Sequence, residues 1–338
     1  MVVCHRAVKD VLPPRPTAPL KIAVSECLTG AAVRYDGSGA RSSYPHERLA
    51  GLFELLPVCP EMAIGMPVPR PPIRLVGTTE SPRAVGVTDR NQDVTDALAQ
   101  FGINAADRLR QEGIVGYVFM KNSPSCGLFR VKVYPESETL TADRSIPVHR
   151  GRGVFAEAIT RTWPALPGEE SGRLEDPVLC ENFVTRVFAY AHWRTLEEAG
   201  MTAAGLIGFH SRYKYLLMAH SINAYQQVGR LLADLKGQVE AKAAAYILEL
   251  MAGLARPATR QGHANVLSHI QGYLKNDLDS ATRQELAALI QSYRLGEQPL
   301  LAVLSLMKHH LCRFPDRYLD EQVYLESHPP SAALRVML

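Results

Sequence analysis

The apolar runs between residues 21 and 160 are strand-length, and three of them lead into a cysteine. Ile22-Ala23-Val24, Leu55-Leu56-Pro57-Val58 and the run from Ile114 to Phe119 are rich in β-branched residues and bounded by Gly- and Pro-rich turns. Cys27, Cys59 and Cys126 follow them in that order. Helical patterns fall between: His46 to Leu56; a stretch that Thr95 could cap, running to Glu112, with Ala97, Leu98, Phe101, Ala105 and Leu109 on one face; and a third from Val154 to just before Trp163-Pro164. Strands alternating with helices predict βαβ units and a mainly parallel, Rossmann-like sheet. Ligands of such open sheets bind beyond the carboxyl ends of the strands. The three thiols are therefore expected on one rim.

The texture changes further along the chain. Residues 1–20, with prolines at 13, 14, 16 and 19, read as a loose leader, and residues 21–161 as the α/β domain. Residues 162–175 carry prolines, glycines and glutamates that break any period, and are expected to be a linker. From 176 to 338 the pattern is helical, which predicts a C-terminal all-α domain. One helix is expected over 210–236, with Tyr213, Leu217, Ala224, Val228, Leu231, Leu232 and Leu235 on one face and Arg212, Asn223, Gln226 and Arg230 opposite. Others are expected over 237–254, 260–275, 280–293 and 298–312. The fold class is thus α/β followed by all-α.

Composition narrows the function classes. No apolar stretch approaches the roughly 18 residues of a membrane span, and the leader lacks the apolar segment of a signal peptide. The six cysteines are then expected to be reduced thiols of a cytoplasmic protein. The formal charge of +3 hides an uneven distribution. Residues 208–315 hold 12 Lys and Arg against 7 Asp and Glu, whereas residues 162–207 hold 3 against 7.

Cys4, Cys180 and Cys312 read as small packing residues. No CxxC pair occurs, which argues against a zinc ribbon or a thioredoxin-like site. Three thiolates from one rim suit a soft metal or an iron–sulfur cluster. With only three protein ligands, a cubane would keep one iron open to a substrate atom.

Several blocks together carry a resemblance. Ser25-Glu26-Cys27-Leu28-Thr29-Gly30 with Arg34-Tyr35-Asp36-Gly37, then Cys59-Pro60-Glu61, Gly65-Met66-Pro67-Val68-Pro69-Arg70 and Ser123-Pro124-Ser125-Cys126-Gly127 resemble the thiouracil desulfidase (TudS) family over about residues 20–160. Glu26, Thr29 and Asn122 depart from its usual residues. The second half, with Asp176-Pro177, Glu181-Asn182-Phe183, His210-Ser211-Arg212-Tyr213-Lys214 and Tyr318-Leu319-Asp320-Glu321-Gln322, resembles a helical domain of unknown function often fused to it. The fusion is similar to the RudS proteins, which remove sulfur from 4-thiouridine in transfer RNA.

The resemblance implies a [4Fe-4S] cluster on Cys27, Cys59 and Cys126, with one iron open to the thiocarbonyl sulfur. Water would then need a base. Glu61, two residues past Cys59, is the candidate general base and acid; its bland role is that of a first-turn glutamate after Pro60. Ser123 is the candidate proton relay, and Ser125 could serve instead. Arg34, Arg70 and Lys121 flank the blocks and are candidates for holding phosphates or substrate oxygens. If the substrate is transfer RNA, Arg212, with Lys214 beside it, and Arg230 are candidate phosphate contacts along one helix face. His210 and His220 read as hydrogen-bonded packing residues. Two other readings stay open: a desulfidase of free thiouracil bases, and a non-catalytic iron–sulfur RNA-binding or sensor protein.

Overall fold

The protein is described by a computed structural model covering residues 13–43, 47, 49, 51–136 and 146–328. It divides into two compact units, residues 18–176 and residues 177–338 with the segment before 18.

The first unit contains two sheets. One is wholly parallel, in the order β2-β1-β5-β8, built from β1 (Leu20–Ser25), β2 (Phe53–Val58), β5 (Tyr117–Phe119) and β8 (Gly168–Glu170). The central strands are buried on both faces, with Ile22, Ala23, Val24, Tyr117, Val118 and Phe119 all inaccessible, as strands of a covered parallel sheet must be. The parallel sheet and the helical second half both match the expected fold class.

Three expectations are corrected here. The helix expected from His46 to Leu56 lies partly outside the described residues. Its end, from Phe53, is strand β2, in parallel register with β1 from Leu20↔Phe53 to Ser25↔Val58. Pro57 is accommodated because β2 is an edge strand. The expected linker contains β8, which pairs with β5 and buries Glu169, Glu170, Ser171 and Leu174. The helix α2 (Thr95–Gln111) forms as expected, but Thr95 does not cap it. Its hydroxyl accepts the Ala84 amide, while Asp93 accepts the Thr95 amide.

The second sheet was not foreseen. Its order is β4-β3-β6-β7, formed by β3 (Ile73–Gly77), β4 (Pro82–Gly86), β6 (Val131–Tyr134) and β7 (Val148–Gly151), and it mixes parallel and antiparallel pairs. Leu75, Ala84, Val131 and Val133 pack there against Leu98 of α2 and Val154 of α3 (Val154–Thr162). The two helices approach closely: a Cβ on Gly102 would lie 2.6 Å from the Ala158 Cβ. A short helix α1 (Pro60–Ala63) follows β2.

The second unit is helical: α4 (Pro177–Glu198), α5 (Ala203–His220), α6 (Ile222–Leu231), α7 (Val239–Leu254), α8 (Arg260–Tyr273), α9 (Ser280–Leu295), α10 (Leu300–Arg313) and the short α11 (Arg317–Asp320). Most of α4 is buried, as befits a helix apolar on more than one face. The single helix expected over 210–236 is two helices. Ser221 is extended (φ −154°) and caps α6 by accepting the Ala224 amide, so the chain turns there. Arg212 and Arg230 consequently do not share one continuous helix face. Among the described residues, no helix is long and apolar enough to cross a membrane.

Candidate metal centre

In the parallel sheet, β1 lies between β2 and β5. The chain leaves β1 to one side to form β2 and later returns to the other side as β5. This reversal of strand order is where the crevice of an open α/β sheet opens. Cys27 sits in the 3₁₀ turn Glu26–Thr29 directly after β1, closed by left-handed Gly30 (φ 95°). Cys59 is the N-cap of α1 directly after β2. Cys126 follows β5 in the loop 120–130. All three line one cavity of about 390 Å³, together with Glu61, Ser123, Ser125, Arg34, Arg70 and Lys121. The structure therefore brings together nine of the twelve candidate residues selected from the sequence.

The Cys126 loop is held from two sides. The N-terminus of α3 donates to it: Val154 N to Pro124 O (3.0 Å) and Ala156 N to Ser125 O (3.1 Å). Gly153 permits this approach, since a Cβ there would lie 2.4 Å from Ser125 O and 2.9 Å from Cys126 N. From the other side Glu170 of β8 accepts the Leu128 and Phe129 amides, each at 2.9 Å. Burial raises the Glu170 carboxyl above its ordinary range. The sequence reading missed Glu170 and the helix terminus. Glu170 falls in the presumed linker, and a helix end has no side-chain signature of its own. Asn122, a departure from the family pattern, sits at φ 59° in this loop, a conformation asparagine tolerates.

Glu61 is fixed by two partners. Arg70, itself buried, donates through both Nε and Nη2 to Glu61 Oε2. Arg70 also donates to Pro67 O and Val33 O. Arg70 was selected as a substrate contact, but its guanidinium is occupied with orienting Glu61. The other carboxylate oxygen accepts the Ser125 hydroxyl at 2.5 Å. Ser123 Oγ stands 3.0 Å from Ser125 Oγ and accepts the Cys126 amide at 3.0 Å. The hydroxyls thus form a line, Ser123 to Ser125 to Glu61. Ser125, fully buried, is the member that touches the carboxylate. Lys121 is exposed and Arg34 half-buried at the cavity wall.

Burial pushes the Cys27 thiol up to about 11, with the neighbouring Cys59 adding to the effect and Arg34 opposing it. Burial likewise raises Cys59 and Cys126. Three desolvated thiols side by side resist ionisation unless a cation compensates them, which suits a cationic group bound among them. Tyr117 adds a second observation. It is fully buried, its hydroxyl has no hydrogen-bond partner among the described residues although Ser25 is near, and Cys126, Cys59 and Cys27 all act on it. An unmatched donor beside three sulfurs fits a sulfur-rich group. Among the described residues no three His, Cys, Asp or Glu side chains converge on one point as a single ion requires. Thiolates bound to separate irons of a cluster need not converge in that way.

Arg212 and Lys214 belong to α5 and do not line this cavity. Arg212 is buried, 3.6 Å from Glu321, so it is not presented as an open phosphate contact. Lys214 stands over the Tyr215 and Tyr318 rings, at 5.4 and 5.8 Å. His210 and His220 are half-buried and hydrogen-bonded to the Tyr246 hydroxyl and to Arg256 O respectively. Cys180 is buried and Cys312 exposed; Cys4 lies outside the described residues.

Fold and site define an α/β protein with a three-thiol centre at the strand-order switch, joined to a helical unit. The chain belongs to the 2-thiouracil desulfurase family, which it matches over residues 22–171, and it joins to that domain a second one, matched over residues 214–329 by a family of unknown function, DUF1722. It is 40% identical over 157 residues to the uncharacterised protein YbgA of Escherichia coli (strain K12), covering 46% of this chain and 93% of YbgA. It is 31% identical over 110 residues to the uncharacterised protein YbbK of Bacillus subtilis (strain 168), covering 31% of this chain and 72% of YbbK. A solved structure described as the [4Fe-4S]-dependent thiouracil desulfidase TudS is 28% identical, covers 49% of this chain and 100% of its own, and superposes with a TM-score of 0.38.

Proposed function

We propose that the protein is a [4Fe-4S]-dependent, non-redox desulfidase that converts 4-thiouridine in transfer RNA to uridine and releases hydrosulfide. The observation that carries this reading is the cavity itself: three thiols from three adjacent parallel strands, with a carboxylate–serine line beside them. Membership of the 2-thiouracil desulfurase family supports the thiocarbonyl as the group attacked.

Cys27, Cys59 and Cys126 would hold the cluster, which when bound supplies an open, soft Lewis-acidic iron suited to sulfur over oxygen. The chain's own residues do the rest. Glu61, oriented by Arg70, takes a proton from the water that adds to the ring carbon. Ser125 and Ser123 pass protons along their hydroxyl line to and from that carboxylate. Lys121 and Arg34, at the cavity wall, hold substrate oxygens. One C–S bond breaks and one C–O bond forms, the sulfur leaves as hydrosulfide, and no net electron transfer is needed.

A cavity of about 390 Å³ also suits a single free base, which favours free thiouracil as the second reading. The decisive test is loss of the near-ultraviolet absorbance of 4-thiouridine from transfer RNA, run anaerobically beside free 2- and 4-thiouracil. Turnover of the RNA supports the proposal. Turnover of free bases alone supports the second reading, and a cluster-loaded protein inert towards all three is not a desulfidase.

A further inference from the structure

The sequence suggested the helical half as the place for RNA contacts. The α/β unit carries a more concentrated set of cations. A second cavity of about 780 Å³ is lined by Arg130, His149, Arg150, Arg152 and Arg173, with Glu157 the one acidic residue among the described residues of its wall. These side chains come from three places that the sequence does not show to be neighbours: the end of the Cys126 loop, strand β7 with its following turn, and the turn after β8.

Two of the guanidiniums are held in place. Arg152 donates to Leu128 O at 3.2 Å and to Glu157 at 3.0 Å. Arg173 lies over the Phe129 ring at 5.0 Å and pairs with Glu169 at 2.7 Å. Arg130, His149 and Arg150 are exposed and make no ion pair among the described residues. Arg130 stands at φ 54°, in the left-handed region that glycine and asparagine adopt most readily.

The groove joins the metal centre through the chain. Leu128 and Phe129 line it, and Cys126 lines the first cavity. Arg130 is four positions past Cys126, a span of at most about 14 Å. A strand whose base enters beside Cys126 would therefore have at most that span to cross to meet the first of these arginines. Planar guanidiniums suit phosphate oxygens, and an aromatic ring among them suits an unstacked nucleotide.

We infer that this groove binds the phosphodiester backbone of the RNA strand whose thiolated base enters the cysteine cavity. The inference rests on the RNA reading above and places a phosphate site in the α/β unit itself.

The test is a titration of full-length, cluster-loaded protein with fluorescently labelled transfer RNA across a salt series. The wild type is compared with the double variant Arg130→Gln/Arg150→Gln. Two lost phosphate contacts should flatten the slope of log K against log salt by about 1.4–1.8. Turnover of free 4-thiouracil should stay at the wild-type level, which also reports that the variant folds. Glu157→Gln, which removes the groove's carboxylate, should tighten RNA binding.

An unchanged slope and affinity in the double variant, with the wild type still acting on transfer RNA, overturns the groove alone. A wild type that neither binds nor desulfurises transfer RNA overturns the RNA reading as well.

Discussion

Replacing Ser125 with alanine separates a catalytic line from a merely structural loop. Its hydroxyl donates to Glu61 Oε1 at 2.5 Å and stands 3.0 Å from the Ser123 hydroxyl. Ser123 has a different load, because its oxygen accepts the Cys126 amide at 3.0 Å and the Ser125 amide at 3.3 Å. Ser125→Ala removes one hydrogen bond to a charged group, a stability loss of about 1.5–3 kcal/mol. The backbone contacts of the loop to α3 and Glu170 remain. Losing a positioned proton-transfer group costs about a hundredfold or more in rate. The expected result is therefore a protein with wild-type iron content and a kcat on 4-thiouracil lowered about a hundredfold. Ser123→Ala should lower rate and cluster retention together, because the Cys126 amide loses its acceptor. The assay is anaerobic loss of near-ultraviolet absorbance, with iron measured on the same sample. A Ser125→Ala protein with full iron and wild-type kcat would refute the proton line.

Other outcomes follow from the same geometry. Arg70→Met leaves the Glu61 carboxylate without its buried guanidinium and should cost about 3 kcal/mol in denaturant unfolding. Adding Glu61→Gln should restore most of that stability but not activity, and an Arg70→Met protein as stable as the wild type contradicts the pairing. In the helical unit, burial holds His192 and His210 neutral, with their acid transitions lowered to about 4. Both are depressed below their unfolded value of 6.5. Stability is therefore complete above about pH 6.5 and falls as pH drops towards about 4, by up to about 3 kcal/mol per histidine. A thermal midpoint that stays flat between about pH 7 and pH 4.5 would contradict this.

Much of the site was legible because its residues belong to strand ends. Cys27, Cys59 and Cys126 each follow a short apolar run, and the alternation rule carries such residues to one rim. Glu61 and Ser125 came along because they are two residues and one residue from a ligand. What was not legible is tertiary. Glu170 and Gly153 act on the Cys126 loop from distant parts of the chain. β8 is only three residues long and polar in sequence, and it is strand because β5 offers it a parallel edge. The second sheet escaped notice because its strands interleave Arg, Lys and His with apolar residues, as in Ile73–Gly77 and Val131–Tyr134. The break at Ser221 was hidden by an apolar period that continues across it, and only the capping bond to Ala224 divides α5 from α6. Arg212 seemed solvent-facing on the longer helix, but on α5 it turns inward to Glu321.

The claim that the three strand-end thiols hold an iron–sulfur cluster is tested most directly by iron and acid-labile sulfide content after anaerobic purification. The wild type should hold about four irons per chain. Cys27→Ser, Cys59→Ser and Cys126→Ser should each lose most of that iron, while Cys180→Ser and Cys312→Ser should keep it. Full iron in all three strand-end variants would contradict the assignment.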